Sequence, residues 1–211
     1  MHRHIALFDL DGVVFDTEPQ YTLFWGSQFK KYYPQELGLE HKVKGMTLVQ
    51  IYDMYFKDEV QKQESITREL NDFEVNMNYE YVAGFEKFIS KLRSLGIKTA
   101  VVTSSNRPKM ENVYAKHPEF KTYFDEVLTS EDFAKSKPDP DCYLKAAQKF
   151  GANVDECVGF EDSFNGLKSL RGANMAIVGL ATTNSKETIS KYADKVIDNY
   201  VGINPSDVFF E

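Results

Sequence analysis

Cysteine is scarce in this sequence, with only Cys142 and Cys157 among 211 residues. Two cysteines are too few for a disulfide framework, and their separation is not a spacing typical of metal ligands. The opening Met1-His2-Arg3-His4 leads directly into a strand-like run and lacks the pattern of a secretory signal. We therefore expect two reduced thiols in the core and a cytoplasmic location.

Long apolar runs and an excess of basic residues are also absent. No run approaches the ~18 apolar residues of a membrane span, so we expect no membrane partner. The 25 Lys and Arg are outnumbered by 32 Asp and Glu, and the net charge of −7 argues against binding of nucleic acid or anionic membrane surfaces. The length suits one globular core with room for an insertion, and we expect a monomer.

Strand-like and helix-like segments alternate from about residue 83 onward. One helix is predicted to end at Gly96, and another to run from Ser163 to Leu170 with Gly172 beyond its end. The predicted strands are Ile5–Leu10, Ile97–Val102, Glu126–Leu128, Cys157–Phe160, Met175–Leu180 and Lys195–Ile197. Strands separated by helices in this way predict an α/β fold, a Rossmann-like parallel sheet core with helices on both faces.

Residues from about 17 to 81 break this alternation, because their pattern is almost entirely helical and rich in aromatics. An amphipathic stripe begins after Thr47, a candidate N-cap, and contains Leu48, Ile51, Tyr52, Tyr55 and Phe56. We therefore predict a sheet core made of residues 1–15 and 83–211 and an inserted helical cap domain made of residues 16–82.

Two carboxylates directly follow the first predicted strand, in Asp9-Leu10-Asp11-Gly12. Open α/β sheets bind ligands at the carboxyl ends of their strands, and Gly12 permits a tight turn that brings both acids together. Hard oxygen ligands of this kind favour Mg²⁺. An acidic turn that merely caps the strand is the alternative interpretation of these residues alone.

A second acidic pair, Glu161-Asp162, follows another predicted strand, and Ser163 is a candidate N-cap for the next helix. Alone, such a pair is ordinary helix-start chemistry, favoured by the helix dipole. Two acidic clusters at strand ends of one sheet, however, could share a divalent ion.

Three further polar residues suit an anion. Thr103 and Ser104 end a strand and offer hydroxyls and free backbone N–H groups at a helix start, although helix capping explains them equally well. Lys137 lies in Lys135-Ser136-Lys137-Pro138, just before another helix, and a solvated loop lysine is its alternative interpretation.

These segments, in this order, resemble the four motifs of the haloacid dehalogenase superfamily, and the resemblance covers essentially the whole chain. Asp9–Val13 matches the motif Asp-x-Asp-x-Thr/Val, Thr103 the second, Lys137 the third and Glu161-Asp162 the acidic fourth. The sequences Phe-Asp-Leu-Asp-Gly-Val, Lys-Pro-Asp-Pro and Glu-Asp-Ser-x-x-Gly are similar to those of the β-phosphoglucomutase-like branch. Each motif is weak alone, whereas the ordered set is specific.

The resemblance implies roles for the acidic residues. Asp9 would be the nucleophile that becomes an aspartyl phosphate, and Asp11 the general acid and then the general base. Mg²⁺ would be held by Asp9, Asp162, the backbone carbonyl of Asp11, and Glu161 either directly or through water.

The resemblance also implies how substrate is held. Thr103, Ser104 and Lys137 would bind the transferring phosphoryl group of a small phosphorylated metabolite. The insertion would be a cap that closes over the site, excludes water and selects the leaving group.

The reaction remains a choice between phosphatase and phosphoglucomutase, since dehalogenases of the superfamily lack the second Asp and the metal. The mutases carry a His, an Arg and a Lys in the cap. In ungapped register Tyr21 takes the place of the His, Leu48 lies near the place of the Arg, and Leu70 lies near the place of the Lys. Lys44 or Arg68 could replace these cations, and His41 is the only histidine of the insertion.

We expect a phosphatase acting on a small, sugar-like phosphomonoester, with the mutase as the alternative. A binding protein that has lost activity is a third alternative, disfavoured because all four motif positions are filled.

Overall fold

The computed structural model describes residues 3–209 and contains one parallel sheet of six strands in the order β3-β2-β1-β4-β5-β6. The strands are β1 (Ile5–Phe8), β2 (Lys98–Val102), β3 (Glu126–Leu128), β4 (Cys157–Glu161), β5 (Ala176–Leu180) and β6 (Lys195–Ile197). All six predicted strands are present, which confirms the Rossmann-like α/β prediction. Residues 1–2 and 210–211, part of the predicted core, lie outside the described residues.

Helices cover both faces of this sheet. Those after the insertion are α5 (Phe85–Ser94), α6 (Arg107–Lys116), α7 (Phe120–Tyr123), α8 (Asp141–Lys149), α9 (Phe164–Gly172), α10 (Lys186–Ile189) and α11 (Pro205–Val208). Side chains of β1 alternate between two hydrophobic clusters, with Phe8 among residues of α5, α6, α7 and α11 and Leu7 among residues of α8, α9 and α10. Both faces of β1 are thus buried, as expected for a central parallel strand.

The predicted end of α5 and the predicted buried thiols are confirmed, whereas the predicted end of α9 is wrong. Gly96 ends α5 with a φ of 73°, and Cys142 and Cys157 are buried free thiols. Gly172, however, is the last residue of α9 and does not lie beyond it. The left-handed turn falls on Asn174, with a φ of 57°, because Asn tolerates this conformation better than most residues.

The inserted segment consists of α1 (Glu18–Tyr32), α2 (Leu39–Lys42), α3 (Leu48–Tyr55) and α4 (Val60–Asn76). Thr47 caps α3 in a capping box with Gln50, as predicted for the N-cap. A separate hydrophobic cluster joins these helices and contains Phe24, Trp25, Phe29, Leu39, Val43, Ile51, Phe56, Ile66 and Leu70. The helical insertion is therefore confirmed, and its aromatic residues mainly form its core.

The two connections between insertion and sheet run side by side. Asp16 N donates to the carbonyl of Glu80 at 2.8 Å, and Val82 N donates to that of Val14 at 2.9 Å. The division of the chain at residues 15/16 and 82/83 remains a prediction. Within residues 3–209, no helix combines the length and the apolar character needed to cross a bilayer.

Candidate active site

Three adjacent strands bring the predicted polar residues to one edge of the sheet. Asp9 follows β1, Thr103 follows β2, and Glu161 ends β4 with Asp162 next to it. One carboxylate oxygen from each of Asp9, Glu161 and Asp162 lies within 4.8 Å of the others. The structure thus brings together the two acidic clusters predicted separately from the sequence.

Two glycines make room for these carboxylates. Gly12 has a φ of 74°, and a Cβ at this position would lie 2.1 Å from Oδ2 of Asp162. A Cβ on Gly166 in α9 would lie 1.8 Å from the carboxyl group of Glu161. Both positions therefore require the absence of a side chain. For Gly166, this gives a physical reason for the spacing Glu-Asp-Ser-x-x-Gly.

Lys137 reaches the acidic cluster from the loop before α8. Its Nζ donates to Oδ1 of Asp9 at 2.8 Å, to Oε1 of Glu161 at 2.6 Å and to the carbonyl of Val102 at 2.9 Å. The residue is 3% exposed, so it is not a solvated loop lysine. Burial alone lowers its pKa, but the carboxylates of Asp9 and Glu161 outweigh burial and raise the pKa above its ordinary value. Lys137 is therefore a buried ammonium ion.

Glu161 anchors this lysine and has bonds on both carboxylate oxygens. Its Oε1 also accepts from the hydroxyl of Tyr143 at 2.7 Å, and its Oε2 accepts from Oγ of Ser163 at 3.2 Å. The sequence did not identify Tyr143, whose only visible signal was a place in the apolar stripe of α8.

Asp162 has one oxygen that lacks a partner. Its Oδ2 accepts from the hydroxyl of Thr183, whereas its buried Oδ1 has no hydrogen-bond partner within residues 3–209. Burial, with Glu161 next in effect, raises the pKa of Asp162 well above its ordinary value. A carboxylate oxygen buried without a partner is costly, and a cation removes that cost.

Asp9 has a similar need for positive charge. Burial raises its pKa to about 7, Glu161 adds to the rise, and Lys137 opposes it. Oxygen donors from Asp9 and Asp162 form the hard ligand set that Mg²⁺ prefers, so these residues fit the predicted ion. The predicted parts of the Asp11 backbone carbonyl and of Glu161 remain predictions.

Asp11 accepts three side-chain hydrogen bonds. Its Oδ1 accepts from Oγ1 of Thr17 at 2.6 Å, and its Oδ2 from Oγ of Ser105 at 3.1 Å and from Nζ of Lys109 at 2.5 Å. Lys109 is 2% exposed and was not identified from the sequence, where it appears as one lysine in a polar helix.

Of the two predicted hydroxyl residues, Thr103 is buried and its Oγ1 accepts from the backbone N of Ser105 at 3.0 Å. This bond closes a turn in the loop before α6, whose N-cap is Asn106, so helix capping does not explain the Thr103 hydroxyl. Thr103 and Ser104 also line the cavity above the carboxylates. Their contact with a phosphoryl group remains a prediction.

A cavity of about 480 Å³ lies between the sheet edge and the insertion. Its wall includes Tyr21, Leu48 and Leu70, the residues that the sequence resemblance predicts at or near the positions of the mutase His, Arg and Lys. Lys44 is the only cation from residues 16–82 that lines it. The other two candidates are exposed, His41 with its Nε2 3.4 Å from Glu40 and Arg68 on the outer side of α4.

Comparison with known proteins identifies the family. A model of haloacid dehalogenase-like hydrolases matches residues 4–174, and the chain belongs to this family. The family expected from the motifs is therefore confirmed.

Two curated proteins and one solved structure that are similar to the chain align with 83% to 98% of its length. A Drosophila melanogaster protein named a probable pseudouridine-5'-phosphatase is 25% identical over 214 residues, covering 95% of this chain and 91% of the relative. A beta-phosphoglucomutase from Bacillus subtilis is 26% identical over 189 residues, covering 83% of this chain and 82% of the relative. A HAD hydrolase of family IA, variant 3, from Entamoeba histolytica superposes with a TM-score of 0.84 at 22% identity, covering 98% and 97% of the two chains, and shares the fold.

Proposed function

We propose that the protein is a Mg²⁺-dependent phosphatase that hydrolyses a small, sugar-like phosphomonoester through an aspartyl phosphate on Asp9. The observation that supports this most directly is the contact of a buried ammonium, Lys137, with Asp9 at 2.8 Å, beside the oxygens of Asp162 and Glu161. A nucleophilic carboxylate that must approach an anionic ester needs such positive charge.

The proposed chemistry has two steps. In the first, a carboxylate oxygen of Asp9 bonds to phosphorus, the ester P–O bond breaks, and Asp11 gives its proton to the leaving oxygen. In the second, Asp11 takes a proton from water as the water oxygen bonds to phosphorus and the bond to Asp9 breaks. When bound, Mg²⁺ would offset the negative charge of the phosphoryl group.

Hydrolysis is favoured over the mutase reaction by the residues that face the cavity. A mutase must hold a second phosphate in the cap, and a phosphate away from water requires cationic partners. At the three corresponding positions the cavity presents Tyr21, Leu48 and Leu70, which carry no positive charge.

The same wall supports a neutral leaving group. Glu18, Glu40 and Glu74 line it with Lys44 as the only cap cation, so the cap side of the wall offers a single cation to a second phosphate or a carboxylate. Burial raises the pKa of Glu18 to about 7, with Asp11 adding to the rise. Carboxyl groups accept hydrogen bonds from hydroxyls, which suits a sugar or another polyol. The relatives named above carry names of sugar-containing phosphates, which agrees with this class.

A panel of phosphomonoesters assayed with Mg²⁺ and with EDTA tests the proposal. Asp9→Asn should abolish phosphate release, because an amide does not form the acyl phosphate. Asp11→Asn should slow turnover by about 10²–10⁴-fold with folding intact. Activity that survives Asp9→Asn, or that EDTA leaves unchanged, would refute the assignment.

The mutase alternative has its own assay. With β-glucose 1-phosphate, catalytic bisphosphate and Mg²⁺, we expect phosphate release and little glucose 6-phosphate. Isomerisation that outruns phosphate release by about tenfold would instead establish the mutase, and Lys44 would then be the first cap cation to replace.

A further inference from the structure

Lys109 is a buried lysine outside the four motifs. It lies in α6, is 2% exposed, and its Nζ is 2.5 Å from Oδ2 of Asp11. The same Nζ lies 4.7 Å from the ring centre of Tyr21, a residue of α1 in the insertion. Its ammonium therefore contacts a carboxylate on the sheet side and an aromatic face on the cap side.

The cap side of this contact is itself fixed. The hydroxyl of Tyr21 donates to Oε1 of Glu74 at 2.8 Å, and the backbone carbonyl of Glu74 accepts from the hydroxyl of Tyr79 at 2.9 Å. Glu74 is 8% exposed and belongs to α4. A continuous chain of contacts thus runs from Asp11 through Lys109 and Tyr21 to Glu74.

Lys109 differs from the other two donors to Asp11. Thr17 lies at the entry to the insertion and Ser105 in the loop before α6, whereas Lys109 projects from the helix itself. It is also the only charged donor of the three, and charge-assisted hydrogen bonds are about twice as strong as neutral ones. The orientation of the Asp11 carboxyl thus depends most on Lys109.

We propose that Lys109 is a positioning residue that orients the Asp11 carboxyl for proton transfer, and that Tyr21 of the insertion holds the Lys109 ammonium in place. This inference rests on the proposed function, in which Asp11 is the general acid and base. The proposed contacts link the position of the insertion to proton transfer by Asp11, because a displacement of α1 would remove the aromatic face of Tyr21 against which the Lys109 ammonium lies.

The two steps of the reaction respond differently to a misplaced Asp11. While the bond from Asp9 to phosphorus forms and the ester P–O bond breaks, an alkoxide needs the Asp11 proton, whereas p-nitrophenolate leaves as a stable anion. The value of kcat/KM includes only steps up to the departure of the leaving group. Attack of water on the aspartyl phosphate needs Asp11 as base for every substrate. This second step contributes to kcat but not to kcat/KM.

The test compares glycerol 2-phosphate with p-nitrophenyl phosphate in wild type and Lys109→Met. We expect kcat/KM to fall about 10²-fold for glycerol 2-phosphate, within the usual range for general acid catalysis, and by less than about threefold for p-nitrophenyl phosphate. The kcat for p-nitrophenyl phosphate should fall as well. Lys109→Arg should recover most of the loss with glycerol 2-phosphate, since a guanidinium also donates to a carboxylate.

Lys116→Met is the matched control. Lys116 lies on the same helix, with its Nζ 5.3 Å from the ring centre of Tyr79 and in contact with the carbonyl of Met77. Like Lys109, it lies near a tyrosine ring of the insertion, but it is exposed and does not bond to Asp11, so neither ester should be affected. Tyr21→Leu should also lower kcat/KM selectively for glycerol 2-phosphate, but by a smaller factor. This variant provides the test if Lys109→Met does not fold.

Three results would overturn the inference. Equal losses of kcat/KM for both esters would mean that Lys109 acts on the phosphoryl group or on the fold. A higher KM with unchanged kcat would make it a substrate contact, and unchanged constants for both esters would remove any role. A wild-type protein that cleaves neither ester would instead count against the proposed phosphatase function.

Discussion

The Lys137 ammonium lies 2.8 Å from Oδ1 of Asp9, although 128 residues separate the two along the chain. The loop that carries Lys137 is also attached to the insertion, since Nε2 of Gln50 donates to the Lys137 carbonyl at 2.9 Å. The nucleophile proposed here is therefore paired with a cation whose backbone is held by the cap.

Replacement of Lys137 by Met should lower both stability and activity. The substitution leaves the carboxylates of Asp9 and Glu161 buried without their cation, and breaking a buried pair in this way costs about 3–5 kcal/mol. Urea unfolding in EDTA measures the loss. Lys135→Met is the control, because Lys135 is 71% exposed in its pair with Asp139 and its removal should change stability by less than about 0.5 kcal/mol. Equal stability of the two variants would contradict the prediction.

Mg²⁺ should raise the midpoint of thermal unfolding of the wild type. A ligand that binds only the folded state at about 100 times its Kd stabilises it by about 2.7 kcal/mol. Asp162→Asn should remove most of this response, because Oδ1 of Asp162 is the buried oxygen without a protein partner. The control is Asp198→Asn, since the side chain of Asp198 is 71% exposed. A Mg²⁺ response that persists in Asp162→Asn would place the ion elsewhere.

The sheet and its acidic edge were predictable because their signals are local. A strand is visible in its own residues, and the carboxyl ends of parallel strands necessarily meet at one edge of the sheet. Asp9, Thr103, Glu161 and Asp162 all follow directly from this rule. The turn at Asn174 was missed because Gly172, two residues earlier, offers the same conformational freedom, and only the length of α9 decides between them.

The partners of the acids were not predictable in the same way. Each of these partners lies on a different element from the acid to which it donates, and its position depends on how helices and loops pack against the sheet. The partners are Tyr143 for Glu161, Thr183 for Asp162 and Lys109 for Asp11. A lysine in a polar helix has no local feature that distinguishes it from a solvated one. Burial of Lys109 becomes visible only when α1 and α4 of the insertion cover α6.

Gly12→Ala should be more damaging than Gly38→Ala, although both glycines have nearly the same backbone conformation. Their φ angles are 74° and 77°, so each alanine pays a similar left-handed strain of about 1–2 kcal/mol. Only at Gly12 would the new Cβ also collide, at 2.1 Å from Oδ2 of Asp162, whereas nothing lies within 4 Å at Gly38. Urea unfolding and the phosphatase assay should both separate the variants. Equal losses of stability and activity would show that the collision relaxes without displacing Asp162.

Glu74→Gln should stabilise the protein in a pH-dependent way. Burial raises the pKa of Glu74 above its ordinary value near 4.5. The folded state therefore binds the proton more tightly than the unfolded state, and the contribution of this group to stability falls as pH rises between the ordinary pKa and the raised one. Gln keeps an oxygen for the Tyr21 hydroxyl and does not ionise. The variant should match the wild type below the ordinary pKa and exceed its stability at neutral pH.

Urea unfolding from about pH 4 to about pH 8 measures this difference between Glu74→Gln and wild type. Glu69→Gln supplies a control of opposite sign, because hydrogen bonds from Lys31 and Gln28 lower the pKa of Glu69. Its carboxylate stabilises the fold above the ordinary pKa, so the Gln variant should become less stable than wild type as pH rises. The effect should be small, since Glu69 is about 40% exposed at its side chain. A Glu74→Gln difference that does not change with pH would show that the buried carboxyl does not titrate between the two values.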